Sequence, residues 1–314
     1  MSDLDVVCVG ETMAQITPAD AGSVESAELF RVTAGGAESN VAIGLAQLGN
    51  RAAWLGRVGA DALGRRVVAG LRAEGVDTHL ARTDEAAPTG MFVKAPGPEG
   101  SVVTYYRRDS AGSRLAPADV ESALAGRTRH VHLSGVTAAL SPSALAATRA
   151  ALAIARDRGI TASFDVNHRP VLWPDAAVAR DVLRELAAAA TVVFVGLDEA
   201  QRLWGVDTPA DCRDLLPGVA HLVVKDGAVE AIEYGDAGRT AVPARPVDVV
   251  EAVGAGDAFA SGWLHGLLAG EDATTRLRFG HLMAARALTS RGDYALGAID
   301  PEALGTRARR EWAA

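Results

Sequence analysis

Cysteine is scarce in this sequence. The 314 residues include two cysteines, Cys8 and Cys212, which lie far apart along the chain. Two isolated thiols are too few for a disulfide framework or a cysteine-based zinc site. We therefore predict two reduced thiols in a cytoplasmic protein.

An excess of basic residues and a long apolar run are missing as well. The chain has 31 Lys and Arg against 39 Asp and Glu, a formal net charge of -8, and no basic run with interleaved aromatic residues. This composition argues against a nucleic-acid partner. No apolar stretch reaches about 18 residues, and Asp3 and Asp5 stand where a leader would be basic. We expect neither export nor membrane insertion.

Two common nucleotide-binding motifs are absent too. The chain contains no GxxxxGKS or GxxxxGKT loop, and its turn at Gly254 and Gly256 has Phe259 where a dinucleotide fingerprint needs a third glycine. The sequence thus disfavours a Walker-type NTPase and a Rossmann dehydrogenase.

The sequence does contain a regular alternation of short β-rich runs and longer runs of helical period. The predicted strands cover 6–9, 52–56, 130–134, 161–166 and 192–195, and the predicted helices cover 38–48, 62–73, 142–156 and 176–188. This order predicts an α/β fold, in which helices cover both faces of a mostly parallel sheet.

Two segments interrupt that alternation, at about 13–34 and 88–109. The second contains a predicted hairpin, 91–94 with 102–106, around Pro96-Gly97-Pro98. We predict that both segments form one small sheet, inserted as a lid over the main domain. Because no Pro-, Gly- or Ser-rich linker divides the chain, residues 1–314 are expected to form one domain that carries this lid.

The most informative motif lies at 249–259. Residues 249–253 are predicted as a strand, Gly254-Ala255-Gly256 as a tight turn, and the apolar residues that follow as a helix. Glycines let backbone N–H groups approach an anion, and a helix N-terminus attracts the same charge. Asp257 is placed to accept a proton from an attacking hydroxyl in phosphoryl transfer. The alternative is that Asp257 caps the helix and the glycines only turn the chain.

A second glycine motif, Gly35-Gly36-Ala37-Glu38-Ser39-Asn40, opens an apolar helix. Together with the Gly254 motif, it resembles the signatures of the ribokinase-like, or PfkB, sugar kinases over nearly the whole chain. The resemblance implies a three-layer α/β/α sandwich with a β-sheet lid, and the use of ATP and Mg²⁺. It also implies that Asp257 is the catalytic base and that the backbone of Gly254, Ala255 and Gly256 forms the anion hole.

Within this family, residues 35–40, 105–111 and 165–173 look most like those of 2-keto-3-deoxygluconate kinases. The resemblance places Arg107 and Arg169 around the carboxylate of such a substrate, which suits guanidinium chemistry. The alternatives are that Arg107 is a solvated surface residue and that Arg169 caps a helix or pairs with Asp165.

The same resemblance implies further contacts to the acceptor sugar. Gly35, Gly36 and Asn40 would touch it, and Tyr105 is either a sugar platform or ordinary lid packing. Phe92 stands where related kinases often have a tyrosine, so one hydrogen bond to the substrate is lost and the particular sugar acid is left open.

Nucleotide and metal contacts are implied with less detail. The family pattern would place Lys225 and Gly227 at the nucleotide, and Glu199 at Mg²⁺ through water. Glu251-Ala252 replaces a frequent Asp-Thr pair, which leaves activation by a monovalent cation open. A homo-oligomer is expected, because an exposed lid sheet commonly pairs with another copy.

The sequence leaves two alternatives to a sugar-acid kinase. One is a kinase for another sugar or a nucleoside, such as fructose, ribose or adenosine. The other is a catalytically silent sugar-binding regulator, which the intact motif from Gly254 to Asp257 argues against.

Overall fold

The computed structural model of the protein describes residues 3–20, 23–95, 97, 101–290, 292–295, 297, 299–310 and 312. The strands are β1 (Leu4–Val9), β2 (Met13–Pro18), β3 (Phe30–Gly35), β4 (Ala52–Leu55), β5 (Arg57–Gly59), β6 (Arg82–Asp84), β7 (Met91–Ala95), β8 (Val102–Tyr106), β9 (Thr128–Ser134), β10 (Thr161–Asp165), β11 (Val192–Gly196), β12 (His221–Asp226), β13 (Glu230–Gly235) and β14 (Gly238–Pro243).

The helices are α1 (Ala37–Gln47), α2 (Ala62–Ala73), α3 (Pro117–Leu124), α4 (Gly135–Ala138), α5 (Pro142–Arg158), α6 (Ala176–Ala188), α7 (Leu197–Trp204), α8 (Pro209–Leu215), α9 (Ala255–Leu268), α10 (Ala273–Leu288) and α11 (Pro301–Arg310). Local chemistry sets several of their ends. At the start of α5, for example, the Ser141 hydroxyl accepts a 3.1 Å hydrogen bond from the Ala144 N–H, and Gly159 ends the helix at φ 66°.

The main sheet has eight strands in the order β14-β13-β12-β11-β10-β9-β1-β4. Neighbours from β4 to β12 pair in parallel, and β13 and β14 add an antiparallel edge. The carboxyl ends of β1, β10, β11 and β12 therefore meet at one edge of the sheet, where open α/β sheets bind ligands.

Helices cover both faces of this sheet. Alternate residues of one strand belong to different cores: Val7 and Val9 pack on the side of α3, α5, α6, α7 and α8, whereas Val6 and Cys8 pack on the side of α1, α2, α9 and α10. The strands are apolar on both faces because neither face meets water. The predicted three-layer α/β/α fold is confirmed.

A second, four-stranded sheet has the order β3-β2-β7-β8. It combines the two segments that interrupt the alternation in the sequence, and β7 and β8 pair antiparallel from Met91 with Tyr106 to Ala95 with Val102. The predicted small sheet is therefore present. Of its predicted turn, Pro96 and Pro98 lie outside the described residues.

One predicted strand is wrong. Residues 249–253 form no strand, although they are rich in β-branched side chains. Val249 and Val250 are exposed, and the N–H groups of Val250 and Glu251 donate to the carbonyl of Leu288 at the end of α10. The backbone groups that a strand would offer to a sheet are thus used by a helix end.

Among the described residues, no helix is long and apolar enough to cross a bilayer.

Candidate active site

A cavity of about 530 Å³ lies between the two sheets. On one side it is lined by residues at the carboxyl ends of β1, β10, β11 and β12, and on the other by residues of β2, β3, β7 and β8. Most of the predicted site residues line it: Gly35, Gly36, Asn40, Phe92, Tyr105, Arg107, Arg169, Glu199, Lys225, Gly254, Gly256 and Asp257. Ala255 and Gly227 are not among its lining residues.

The glycine turn before α9 depends on Gly254. This residue has φ 84°, and a Cβ atom on it would lie 1.8 Å from the carbonyl oxygen of Asp293. The Ala255 N–H donates to the carbonyl of Ala252, whereas the N–H groups of Gly256 and Asp257 lie in the first helical turn and have no carbonyl one turn earlier in the helix. Those two groups can meet an anion in the cavity.

Asp257 is half-buried in the first turn of α9, where its Oδ2 accepts a 2.8 Å hydrogen bond from Nδ2 of Asn40. Burial raises the pKa of Asp257 to about 7; the charge of Asp165 adds to this effect, while the Asn40 hydrogen bond and the charges of Arg169 and Lys225 oppose it. A carboxylate with such a pKa is suited to accept a proton near neutral pH.

Close packing of α1 against α9 brings Asn40 to Asp257. A Cβ atom on Gly44 of α1 would lie 2.3 Å from the Ser261 hydroxyl of α9, so the two helices can approach only because this position has no side chain. The other amide atom of Asn40, Oδ1, is buried without a hydrogen-bond partner among the described residues. It is therefore available to a hydroxyl of the acceptor.

Lys225, at the end of β12, lies between acidic groups. Its ammonium is 3.1 Å from Oδ2 of Asp165. Burial works against the charge of Lys225, but the carboxylates of Asp165 and Glu199 outweigh it and raise the pKa of the lysine. Lys225 is therefore a fixed cation in the cavity, and Asp165 pairs with it rather than with Arg169.

Glu199 lies in the first turn of α7, and its carboxylate is held by backbone. Oε1 accepts from the His168 N–H and Oε2 accepts from the Gly196 N–H. Burial raises the pKa of Glu199, and the negative charge of Asp165 raises it further. Lys225 opposes this shift in pKa, and a further cation near Glu199 and Asp165 would favour the ionised form of Glu199.

These carboxylates fit a site for Mg²⁺. The described residues contain no group of three His, Cys, Asp or Glu residues that could hold a metal ion by themselves. Mg²⁺ is usually held by one or two carboxylates together with waters and substrate phosphates, so a three-residue cage is not required. Because the oxygens of Glu199 are already used by backbone N–H groups, this residue would act through water.

The acceptor side of the cavity is built from β3, β7 and β8. A Cβ atom on Gly35 would lie 2.7 Å from the ring of Phe92, and one on Gly36 would lie 2.3 Å from the carbonyl oxygen of Glu11. The two glycines are thus required for packing, because a side chain at either position would clash with the protein itself. The rings of Phe92 and Tyr105 are 5.8 Å apart, which closes one wall of the cavity.

Arg107 is largely buried and forms an ion pair with Glu11, which also accepts a hydrogen bond from the Ser110 hydroxyl. Its guanidinium lies 5.5 Å from the centre of the Tyr105 ring. Because of this ion pair, Arg107 is not the solvated surface residue that the sequence left as an alternative. Its Nε is buried without a partner among the described residues. Among the described residues, one donor of this cavity-lining arginine is thus not used by the protein itself.

Arg169 is exposed at the mouth of the cavity, directly before the 3-10 helix Pro170–Leu172. Among the described residues, its side chain has no hydrogen bond and no ion pair. Gly227 follows β12 at φ 49°, where its conformation serves the turn to β13. The structure therefore separates Gly227 from the cavity that Lys225 lines.

Sequence reasoning assigned no role to two buried acidic residues, Glu11, which lines the cavity, and Glu38, which is not among its lining residues. Glu11 and Glu38 are both buried; the Glu38 carboxylate accepts 2.7 Å hydrogen bonds from the hydroxyls of Ser134 and Thr137, and burial raises its pKa. A signal for Glu11 was present, because an acidic residue soon after an apolar strand lies at the ligand-binding edge of a parallel sheet. No local signal marks Glu38, whose partners lie about 100 residues further along the chain.

Comparison with known proteins agrees with this geometry. The model of the pfkB family of carbohydrate kinases matches residues 3–298. A 2-dehydro-3-deoxygluconokinase of Bacillus subtilis is 36% identical over 92% of this chain and 91% of its own, and one of Thermoproteus tenax is 37% identical over 92% and 90%. The crystal structure of a PfkB protein from Polaromonas sp. JS666 superposes with a TM-score of 0.85 at 36% identity, and covers 92% of this chain and 97% of its own. The chain belongs to the PfkB family of carbohydrate kinases and is a sugar kinase.

Proposed function

We propose that this sugar kinase transfers the γ-phosphoryl group of ATP to the primary hydroxyl of 2-keto-3-deoxygluconate and forms the 6-phosphate. The observation that carries the proposal is Arg107: its guanidinium lines the same cavity as Asp257 and keeps a buried donor, Nε, without a partner among the described residues. An oxygen of a neutral sugar could also accept from that donor, but a carboxylate would form a stronger, charge-assisted hydrogen bond with the guanidinium. Relatives named 2-dehydro-3-deoxygluconokinase, a synonym for a kinase of this acid, support the same choice.

In this proposal, Asp257 accepts the proton of the attacking hydroxyl. The hydroxyl oxygen forms a bond to the γ-phosphorus, the bond from that phosphorus to the β,γ-bridging oxygen breaks, and ADP leaves. Asn40 orients Asp257 through its 2.8 Å hydrogen bond and offers Oδ1 to the acceptor. The transition state is loose, so correct placement of these groups and neutralisation of charge supply most of the catalysis.

Charge on the transferring group would be neutralised by the free N–H groups of Gly256 and Asp257 and by Lys225, which all lie at the cavity. Mg²⁺, when bound with ATP, would neutralise further phosphate charge, with Glu199 and Asp165 as its protein carboxylates. Arg169 adds a second cation at the mouth, where it can meet the substrate carboxylate.

The four-stranded sheet is proposed to act as a lid. It contributes Phe92, Tyr105 and Arg107 to the cavity, and its closure would exclude water and suppress idle ATP hydrolysis. The outer strand of this sheet, β8, exposes Val102 and Tyr106, so we also propose a homo-oligomer in which the sheet pairs with another copy. The proposal places the enzyme in the cytoplasm, with Cys8 and Cys212 as reduced thiols.

The test is a coupled assay of ATP consumption with 2-keto-3-deoxygluconate, its galactonate epimer, fructose, ribose and adenosine. Turnover of the keto-deoxy acids but not of the neutral acceptors is expected. Preference for a neutral sugar would overturn the substrate while leaving the kinase intact. ATP-independent sugar binding without turnover would favour a silent regulator.

An Arg107→Lys variant sharpens this test, because it keeps a cation beside buried Glu11 but removes the planar set of donors. We expect the KM for the keto-deoxy acid to rise by about 10-fold or more, since hydrogen bonds to charged groups contribute about 1.5–3 kcal/mol. The matched control is Arg149→Lys, which alters an exposed ion pair with Glu185 between α5 and α6. An unchanged KM in Arg107→Lys would contradict carboxylate recognition by this residue.

A further inference from the structure

Lys94 is a fully buried ammonium that the kinase mechanism does not use. The chain has only two lysines among its 31 Lys and Arg residues, Lys94 and Lys225. Lys94 lies on β7 with 1% of its surface exposed. A charge buried so completely is costly unless carboxylates and additional hydrogen bonds compensate it.

Two carboxylates compensate Lys94. Its Nζ lies 2.9 Å from Oε2 of Glu251 and 2.8 Å from Oδ1 of Asp293. Glu251 stands three residues before Gly254, and the backbone oxygen of Asp293 packs so closely against Gly254 that a Cβ atom there would lie 1.8 Å away. One ammonium thus joins the two segments that shape the glycine turn.

Further hydrogen bonds complete this cluster. Oδ1 of Asp293 accepts a 3.1 Å bond from Nε2 of Gln15 on β2, and Oε2 of Glu251 accepts a 2.6 Å bond from the Ser101 hydroxyl. Oε1 of Glu251 accepts from the Val253 N–H at 3.0 Å, inside the turn itself. The cluster therefore connects the four-stranded sheet to the backbone that precedes Gly254.

The same strand, β7, also forms part of the cavity wall on the side proposed to bind the acceptor. Successive side chains of a strand point to opposite faces, so Phe92 and Lys94 share one face of β7, and both are buried. Phe92 lines the cavity, whereas Lys94 meets the two carboxylates behind the glycine turn. The position of β7 is therefore coupled to both the acceptor wall and the turn.

We propose that Lys94 is a positioning residue and serves as an internal monovalent cation for the glycine turn. Its ammonium neutralises Glu251 and Asp293 and holds the backbone before Gly254 in the shape that phosphoryl transfer requires. Transfer by this enzyme is then independent of added monovalent cations. The proposal goes beyond the kinase activity and does not depend on which sugar is the acceptor.

The test compares the wild-type enzyme with Lys94→Met, which keeps the apolar stem and removes the charge. Turnover and acceptor KM are measured in choline chloride and in KCl or NH₄Cl at equal ionic strength. Wild-type turnover is expected to be the same in all three salts. Lys94→Met is expected to lose about 100-fold in turnover in choline, the lower end of the loss caused by removing one oxyanion-hole donor, and to regain much of it in K⁺ or NH₄⁺.

A second measurement, thermal unfolding, tests the proposal even if Lys94→Met folds poorly. Thermal unfolding of Lys94→Met should shift to higher temperature in K⁺ or NH₄⁺ relative to choline, and Lys94→Met combined with Asp293→Asn should lose that response because one carboxylate is gone. The matched control is Arg276→Met, which removes a cation from buried Glu233 away from the cavity. It should be destabilised without any selective response to K⁺.

Three results would overturn the proposal. Wild-type turnover that rises with K⁺ would show a separate cation requirement. Lys94→Met with normal turnover in choline would show that the turn does not need this charge. Loss of turnover and stability with no response to K⁺ or NH₄⁺ would leave Lys94 a structural residue only.

Discussion

The side chains of Asn40 and Asp257 are joined by a 2.8 Å hydrogen bond across 217 residues of sequence. Asn40 belongs to the helix that follows the first glycine motif, and Asp257 belongs to the helix that follows the second. The contact therefore connects the residue proposed to bind the acceptor with the residue proposed to take its proton. It also orients the carboxylate before any substrate arrives, which lowers the cost of reaching the reactive geometry.

Asp257→Asn is expected to lower turnover by about 10²- to 10⁴-fold, the usual contribution of a positioned general base. Asparagine is similar in size and still accepts the hydrogen bond from Asn40, but it cannot take a proton. Turnover is measured by the coupled assay and ATP affinity by calorimetry. ATP affinity should change little, and the exposed control Asp157→Asn should keep normal turnover. Near-normal turnover of Asp257→Asn would refute the assignment of the base.

The pH dependence of kcat/KM should report Asp257. Because its pKa is raised to about 7, the fraction of the ionised base falls as the pH drops below that value, and kcat/KM should fall with it. The hydrogen bond from Asn40 lowers this pKa, so Asn40→Leu should move the acid limb to higher pH. A profile that is flat through neutral pH in the wild type, or a limb that Asn40→Leu moves to lower pH, would contradict the assignment.

Asp257 should also make the folded protein less stable at high pH. Its pKa rises from 3.8 to about 7 on folding, so the folded state binds the proton more tightly and stability is lost as the pH rises through this window. Above pH 7, Asp257→Asn should therefore unfold with a free energy higher than wild type by on the order of 1–2 kcal/mol, after allowance for solvent access. Urea denaturation at several pH values measures the difference, which should vanish toward about pH 4. A less stable variant at high pH would argue against a raised pKa.

The two glycines of the turn should respond differently to alanine. Gly254→Ala places a Cβ atom 1.8 Å from a backbone oxygen at φ 84°, so it should destabilise the fold by about 2 kcal/mol or more and remove most of the turnover. Gly256→Ala places a Cβ atom 3.4 Å from the Lys225 ammonium, which is an ordinary van der Waals contact. It should leave stability within about 1 kcal/mol of wild type, because alanine is favourable in a helix. Thermal unfolding and turnover are compared for both, and equal effects would show that the shape of the turn is not set by Gly254.

The sequence by itself determined the α/β architecture and the main strands and helices between residues 4 and 196. Their signals are local: apolar periodicity, Ser141 before α5 and the glycines at helix ends are all visible within a few residues. At 249–253 the β-branched side chains predict a strand, but contacts with the rest of the fold prevent one. A β-branched run formed no strand because its backbone N–H groups were taken by the end of α10.

The pairing of charges was decided by the tertiary structure alone. Arg107 with Glu11, Lys225 with Asp165, and Lys94 with Glu251 and Asp293 each join residues from separate elements, and nothing near either partner in the sequence announces the other. Burial determines these pairs. Once the sheets and helices pack, a charge removed from water is costly unless the fold brings an opposite charge within reach. Motifs could therefore name Asp257 and the glycine turn, but only the packed fold placed Lys94 behind that turn.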